Sequence, residues 1–293
     1  DDERASLATL IYYPEEKLEK IKAYGSTAGI DAADAWQLIT PDEHGDWLAQ
    51  RDRGFVEFLP MGNKARDGSI ALFDGYSSGV KTNRDSWAYN SSRKAVLASM
   101  ETMIGFYNHA LAGQADGDIN DPSRIGWSWV LRGRFDKGLK GAFSPDKVVV
   151  ATYRPFDKRW MYYDGFFNEN RYQMPKLFPT GNEENLVIVI KQRWSGAGQI
   201  ALMVDGVIDV QSDGGTQCFP LYLYDEAAKA SKDDLFVEPV EGGLHRRDAI
   251  TDTGLAHFQS AYPGESISKE DLFYYVYGIL HSPDYRERFA DNL

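Results

Sequence analysis

The acidic, basic and hydroxyl residues of this 293-residue sequence offer several starts toward chemistry, and each stops short of a complete set. Leu221-Tyr222-Leu223-Tyr224-Asp225-Glu226 has the form of the apolar strand and Asp-Glu pair that hold magnesium in helicase motors. Such a motor also needs a phosphate-cradling loop. The nearest fragment, 133–140, lacks the closing Gly-Lys-Ser/Thr, so 221–226 reads as a strand ending in solvated acids. A restriction-type nuclease gathers carboxylates around Mg²⁺ from Pro-Asp followed by Asp/Glu-x-Lys. Pro41-Asp42, Pro145-Asp146 and Pro283-Asp284 have no such follower. No two prolines are adjacent, which removes the Asn/Asp-Pro-Pro-Tyr/Phe tetrapeptide of adenine amino-methyltransferases. His44, His109, His245, His257 and His281 lack zinc-ligand spacing, and no Gly-x-Ser-x-Gly elbow nominates a nucleophile. A hydrolase would rest only on scattered Ser, His and acids. The sequence therefore predicts no catalytic, cofactor-binding or metal residue.

What it does hold is the material of recognition. Lys and Arg neutralise phosphates and release condensed counterions, while Arg, Asn and Gln can pair two-pronged with base edges. The net charge is −12, yet residues 124–193 hold 13 Lys and Arg against 7 acids, a basic and aromatic-rich middle in an acidic frame. Gathered on one face, that middle suits a polyanion; scattered over several, it suits none. Lys81, Asn83 and Arg84 stand in a short segment before a helix, either projecting from a rigid support or capping and salt-bridging that helix. Arg154, Lys158 and Arg159 surround a turn with Tyr153, Phe156 and Trp160 interleaved. They are either phosphate contacts at a hairpin tip, or neighbours of core residues Phe156 and Trp160 with Arg154 bonded to Asp157. Arg171, Gln173 and Lys176 lie in an Asn- and Pro-containing loop, and Gln192 and Arg193 precede Trp194. In both places an amide able to pair with adenine sits beside a cation.

Positioning these groups calls for an α+β fold of mixed and antiparallel sheets with a long central helix and C-terminal helices. The spacing of Val96, Met100, Met103, Ile104 and Tyr107 predicts that central helix over 93–111, with Ser91 or Ser92 as its cap. Residues 147–153 and 159–163 read as a hairpin connected by 154–158, 186–191 with 199–204 as a second pair, and 217–224 as a further strand. The glycines and aromatics of 41–82 predict short strands and turns, while 7–13 and 36–40 read as strands and 15–23 as a helix. Ser268 with Asp271 opens a C-terminal helix, and Ser282-Pro283 opens a shorter one. Turn-rich 112–123 predicts a division into an N-terminal lobe, 1–115, and a C-terminal lobe, 124–293, carrying the basic segment 124–193. No β-α alternation suggests a doubly wound nucleotide fold. The lone Cys218 excludes an internal disulfide and reads as a small buried hydrophobe. No apolar run is long enough for a membrane span and the charged opening is unlike a signal peptide, so the expected compartment is the cytoplasm. A start without Met that runs at once into apolar 7–13 reads as a piece of a longer chain.

Five strings, in this order, carry a likeness: Gly45-Asp46-Trp47-Leu48 with Gln50-Arg51-Asp52; Gly79-Val80-Lys81-Thr82-Asn83-Arg84-Asp85-Ser86-Trp87; Tyr153-Arg154-Pro155-Phe156-Asp157-Lys158-Arg159-Trp160; Gln217-Cys218-Phe219-Pro220-Leu221-Tyr222; and Tyr274-Tyr275-Val276-Tyr277-Gly278-Ile279-Leu280-His281-Ser282-Pro283. Together they resemble the C-terminal target-recognition (specificity) region of type ISP restriction-modification enzymes over nearly the whole chain. That family joins a nuclease, a helicase-like ATPase, an adenine-N6 methyltransferase and a target-recognition region in one polypeptide. The resemblance implies the specificity end, itself non-catalytic, with 1–115 able to include the edge of the preceding methyltransferase. It implies double-stranded DNA and the methyltransferase and helicase/nuclease domains of the parent chain as partners. S-adenosylmethionine, ATP and Mg²⁺ would belong to the parent and none to this region. The function expected is sequence-specific duplex recognition for the linked methyltransferase and restriction nuclease, with the cations and amides singled out above as contacts. The alternative is a coupling module that holds methyltransferase and motor together without touching bases.

Overall fold

The computed structural model describes residues 39–48, 50–63, 68–191, 201–226 and 244–292, together with Glu19 and Lys22. The strand expected at 7–13, most of 36–40, most of the helix expected at 15–23, and Gln192 and Arg193 lie outside the described residues. The chain divides into two compact units, Asp1–Asp52 and Arg53–Leu293. In the first, Asp42 Oδ1 accepts the amides of His44 and Asp46, both at 2.9 Å, and Arg51 braces the turn through Asp46 at 3.1 Å.

The larger unit is α+β. Its elements are β1 (Ser77–Ser78), α1 (Asp85–Ala88), β2 (Tyr89–Asn90), α2 (Arg93–Leu111), α3 (Trp129–Asp136), β3 (Val148–Arg154), β4 (Asp157–Tyr162), α4 (Met174–Leu177), β5 (Val187–Lys191), β6 (Ala201–Val204), β7 (Val207–Ile208), β8 (Thr216–Pro220), β9 (Tyr222–Glu226), β10 (Leu244–Asp248), α5 (Asp252–Ala261), α6 (Lys269–His281) and α7 (Pro283–Arg288). One sheet, ordered β1-β8-β5-β6, is antiparallel throughout. A second, β2-β4-β3-β7, is mixed, because β3 pairs β7 in parallel. The third is the antiparallel pair β9–β10.

Side-chain alternation along β3 fixes where the cores lie. Val149 and Ala151 enter one core with Met161, β5's Ile188, β8's Phe219 and α6's Leu272 and Phe273. Val148 enters another with Tyr162 and α2's Val96, Met100, Met103 and Tyr107. The start of β3, Val148 and Val149, is thus buried on both faces, whereas Val150 is exposed. Helix α2 begins where the cap was expected, Ser92 Oγ accepting the Ala95 amide at 3.3 Å. Helix α6 carries the full reciprocal capping box of Ser268 and Asp271, and Ser282 caps α7.

Three features differ from expectation. Both cores draw on residues either side of 112–123: Leu72 joins Ile188, and Tyr107 joins Ile125, Leu131 and Tyr162. That segment is a connection inside the larger unit, pinned by Trp127 Nε1 donating to Ile119 O at 2.8 Å, and the chain divides at Asp52 instead of near 115. The strand read over 217–224 is two strands, β8 pairing β5 and β9 pairing β10, with the change of partner at Leu221. Helices α3 and α5 were not legible, since Gly133 interrupts one and Gly254 the other. Both are held by caps, Ser128 on the Leu131 amide and Thr251 on the Gly254 amide.

Candidate nucleic-acid interface

Gly79 makes the close approach on which the site is built. A Cβ there would lie 2.6 Å from the Asp209 carbonyl, so only glycine lets 79–81 run against 208–210. Val80 N donates to Ile208 O at 2.7 Å, and Val210 N donates to Val80 O at 2.9 Å. One residue on, the chain changes partner: Lys81 N donates to Asn170 O at 2.8 Å, and Asn170 N donates to Lys81 O at 3.0 Å. This reciprocal pair joins the 81–83 segment to the one that begins at Asn170. Each segment holds a non-glycine residue in the left-handed region, Asn83 at φ +54° and Tyr172 at φ +47°. Asn170 Oδ1 accepts the Tyr172 amide at 2.7 Å and so holds the second bend. Lys81, Asn83, Tyr172, Gln173 and Lys176 are all exposed, and the Gln173 side chain makes no capping bond at the start of α4. Among the described residues no carboxylate pairs with Lys81 or Lys176.

The β3–β4 hairpin is tied to the same segment. Tyr153 OH donates to Asp85 Oδ2 at 3.3 Å, and Asp85 also accepts the Thr82 hydroxyl. Arg154 reaches Asp209 at 3.1 Å, beside the 79–81 run. Burial raises the pKa of the Asp209 carboxyl, against the lowering effect of the Gln211 amide it accepts at 2.8 Å. The guanidinium carbons of Arg154 and Arg159 lie 3.9 and 4.2 Å from the Tyr153 ring centroid, so the aromatic face holds both cations just behind the hairpin's tip. Arg159 pairs with Asp157 at 2.9 Å. Arg159 stands opposite Ala151, and Lys158 opposite Thr152. Alternation therefore sends Lys158 to the other face of the ribbon, where it meets Asp205 at 2.6 Å.

Several sequence expectations change here. Arg84 is 4% exposed: its Nε donates to Gly126 O at 3.0 Å, its Nη2 to Ser128 Oγ at 2.6 Å, and its Nη1 to Phe167 O. Burial lowers its pKa to about 10, which leaves it cationic at neutral pH. It joins three chain segments and presents nothing to a partner. Arg171 is half-buried with its guanidinium over Tyr163, 4.9 Å from the ring centroid. Arg154 pairs with Asp209, and it is Arg159 that takes Asp157. Phe156 is 94% exposed, the opposite of a core residue, whereas Trp160 packs against the second core. The signal for Phe156 was present: Pro155 sets the first corner of a two-residue turn, which puts the next residue at the tip. Much of the basic surplus braces the region around α3. Arg124 lies over Phe106 at 4.0 Å, Arg132 over Trp127 at 3.8 Å, Arg134 donates to Phe166 O, and Lys147 bonds the buried Asp164.

Catalytic alternatives gain nothing from the geometry. Among the described residues no group of three or more His, Cys, Asp and Glu could hold a metal ion, and no helix is long and apolar enough to cross a membrane. Asp225, in the helicase-like string, bonds Arg247 at 2.6 Å within the β9–β10 pair. Cys218 is buried, and burial pushes its thiol up to about 12.

The α+β unit thus carries exposed cations and amides on loops joined by the Lys81–Asn170 pair. Residues 71–293 match the family model of the Type ISP C-terminal specificity domain, and the chain belongs to that family. The chain is similar to the ATP-dependent Type ISP restriction-modification enzyme LlaBIII bound to DNA, with 33% identity and a TM-score of 0.74 over 94% of this chain and 17% of that one. The DrdV–DNA complex aligns at 31% identity and a TM-score of 0.72, covering 94% of this chain and 26% of that one. A nuclease-deletion mutant of the Type ISP enzyme LlaGI, in complex with a DNA substrate mimic, aligns at 29% identity and a TM-score of 0.67, covering 88% and 22%. The chain therefore spans about a quarter or less of the length of these relatives. No curated protein sequence matches it.

Proposed function

We propose that this chain reads the base sequence of duplex DNA for an adenine-N6 methyltransferase and a restriction nuclease linked to it in a longer protein. The observation that carries the proposal is the reciprocal Lys81–Asn170 backbone pair, which joins a segment exposing Lys81 and Asn83 to one exposing Tyr172, Gln173 and Lys176. Lys81 and Lys176 supply point charges for phosphates, while the amides of Asn83 and Gln173 have the donor and acceptor that adenine presents in the major groove. Arg159 rests on the Tyr153 ring and its one ion pair is with the partly exposed Asp157, a pairing worth about 0–1 kcal/mol, so a phosphate can take over that pair. Arg154 stays tied to the buried Asp209 and helps to fix the hairpin. Arg84 supports the Lys81 segment from within, and Lys158 faces away from Arg159. The solved relatives are complexes with DNA or a DNA mimic, which supports the same function here. S-adenosylmethionine, ATP and Mg²⁺ would serve the linked domains.

The test is selection of duplexes from a randomised pool by this chain, followed by a salt titration on the enriched duplex. One enriched sequence is expected, with K81E and K176E each weakening binding and reducing the salt slope by about 1. A pool that stays random, with this chain instead capturing the methyltransferase portion of its parent, would replace base reading by the coupling role.

A further inference from the structure

We propose that Phe156 is a wedge that enters the base stack of duplex DNA from the tip of the β3–β4 ribbon. The inference rests on the DNA reading above and adds a distortion step to it. Arg154 stands opposite Asp157, so Pro155 and Phe156 alone close the hairpin. Phe156 has φ +63°, the positive value that a type II turn, which takes proline at its first corner, requires at its second and that glycine or asparagine adopts most readily. A phenylalanine here is strained and 94% exposed, the most exposed of the large hydrophobic side chains among the described residues. Neither property stabilises the fold, and strain of this kind persists where the surroundings over-determine it and function uses it.

The surroundings do over-determine it. The ribbon is paired up to the turn apart from a bulge at Tyr153, Arg154 is anchored on the buried Asp209, and Tyr153 on Asp85. The ring is therefore presented on a fixed arm, with Arg154 and Arg159 set behind it against Tyr153. Two-stranded ribbons enter either groove of duplex DNA, and apolar side chains carried into the minor groove unstack a base step; here the cations behind the ring are placed to meet the backbone. Phenyl-on-base stacking tolerates any sequence, so the wedge's contribution comes from how readily a given step opens, while the Lys81 and Gln173 segments read the bases.

The experiment uses the duplex selected by the unaltered chain, with 2-aminopurine placed at successive steps. Binding is expected to raise fluorescence at one step or two adjoining ones. F156A should abolish that rise and weaken binding about 10-fold, and F156W should keep it. F156G should do the same as F156A while melting at the same or a higher temperature, which separates loss of the wedge from loss of the fold. A selected duplex bound equally well by F156A, or one showing no unstacking at any position with the unaltered chain, overturns the wedge and leaves base reading standing. If no duplex is selected at all, base reading fails, and the wedge with it.

Discussion

Arg84 and Arg159 are the same residue type, and both stand in strings that suggest DNA contact, yet the fold gives them opposite work. Arg84 is enclosed, and its three bonds go to Gly126 O, Ser128 Oγ and Phe167 O, in segments distant from it in sequence. Arg159 lies along a ribbon edge, resting on Tyr153 and paired with one partly exposed carboxylate. A cation that satisfies buried carbonyls is architecture, whereas one held by a surface pair can change partners. The charge count of the central segment fails as a footprint for the same reason. Arg124, Arg132, Arg134 and Lys147 are occupied around α3, and the available cations lie partly outside that segment, at Lys81.

The largest expected effect breaks this contrast directly. R84A should lower unfolding free energy by about 3–5 kcal/mol, because it strands buried carbonyls and leaves Glu169, whose Oε2 has no hydrogen-bond partner, without its nearby cation. R159A should cost under about 1 kcal/mol. Urea denaturation of both variants measures the gap, and equal losses would put Arg159 in the architecture too. On DNA the order reverses. The double reversal K81E/K176E should weaken binding by about 100-fold at moderate salt with an unchanged urea midpoint, whereas E265K on the acidic C-terminal side should leave binding alone.

What was legible in the sequence follows the range of the forces involved. Helix α2, the capping box of α6 and the β3–β4 hairpin rest on periodicity and on bonds within a few residues, and they stand where the spacing puts them. Partnership across long separations left no local trace. Nothing near Lys81 announces Asn170, and nothing near Arg84 announces Phe167. Likewise, polar 112–123 looks like a boundary because the indole that pins it, Trp127, lies beyond its end. The candidate contacts were thus readable as residue types, but the backbone bonds that join the 81 and 170 segments were not.

Phe156 sharpens the contrast from the exposed side. Replacing it with glycine relieves the left-handed strain and removes an exposed ring, so F156G should raise stability by up to about 1 kcal/mol. A thermal melt is sufficient to see it. Loss of stability instead would mean that the ring packs in solution against some part of the chain.

The smallest effect compares a buried carboxylate with an exposed one. Asp209 lies beneath Arg154, and burial raises its pKa above the ordinary 3.8. The folded chain therefore holds that proton more tightly than the unfolded chain does. As pH rises from 3.8 through the folded value, the unaltered chain should lose stability relative to D209N, and the difference should then level off. Asp271 behaves in the opposite sense, since the Ser268 hydroxyl and amide at the start of α6 hold its carboxyl below 3.8. Its advantage over D271N should be complete above 3.8 and should fade as pH drops through the folded value. Urea midpoints of the three proteins between pH 3 and pH 7 test both slopes. Slopes of the same sign would show that Asp209 is governed by its cationic neighbour Arg154 and not by its burial, and would fix Arg154 more firmly in the architecture.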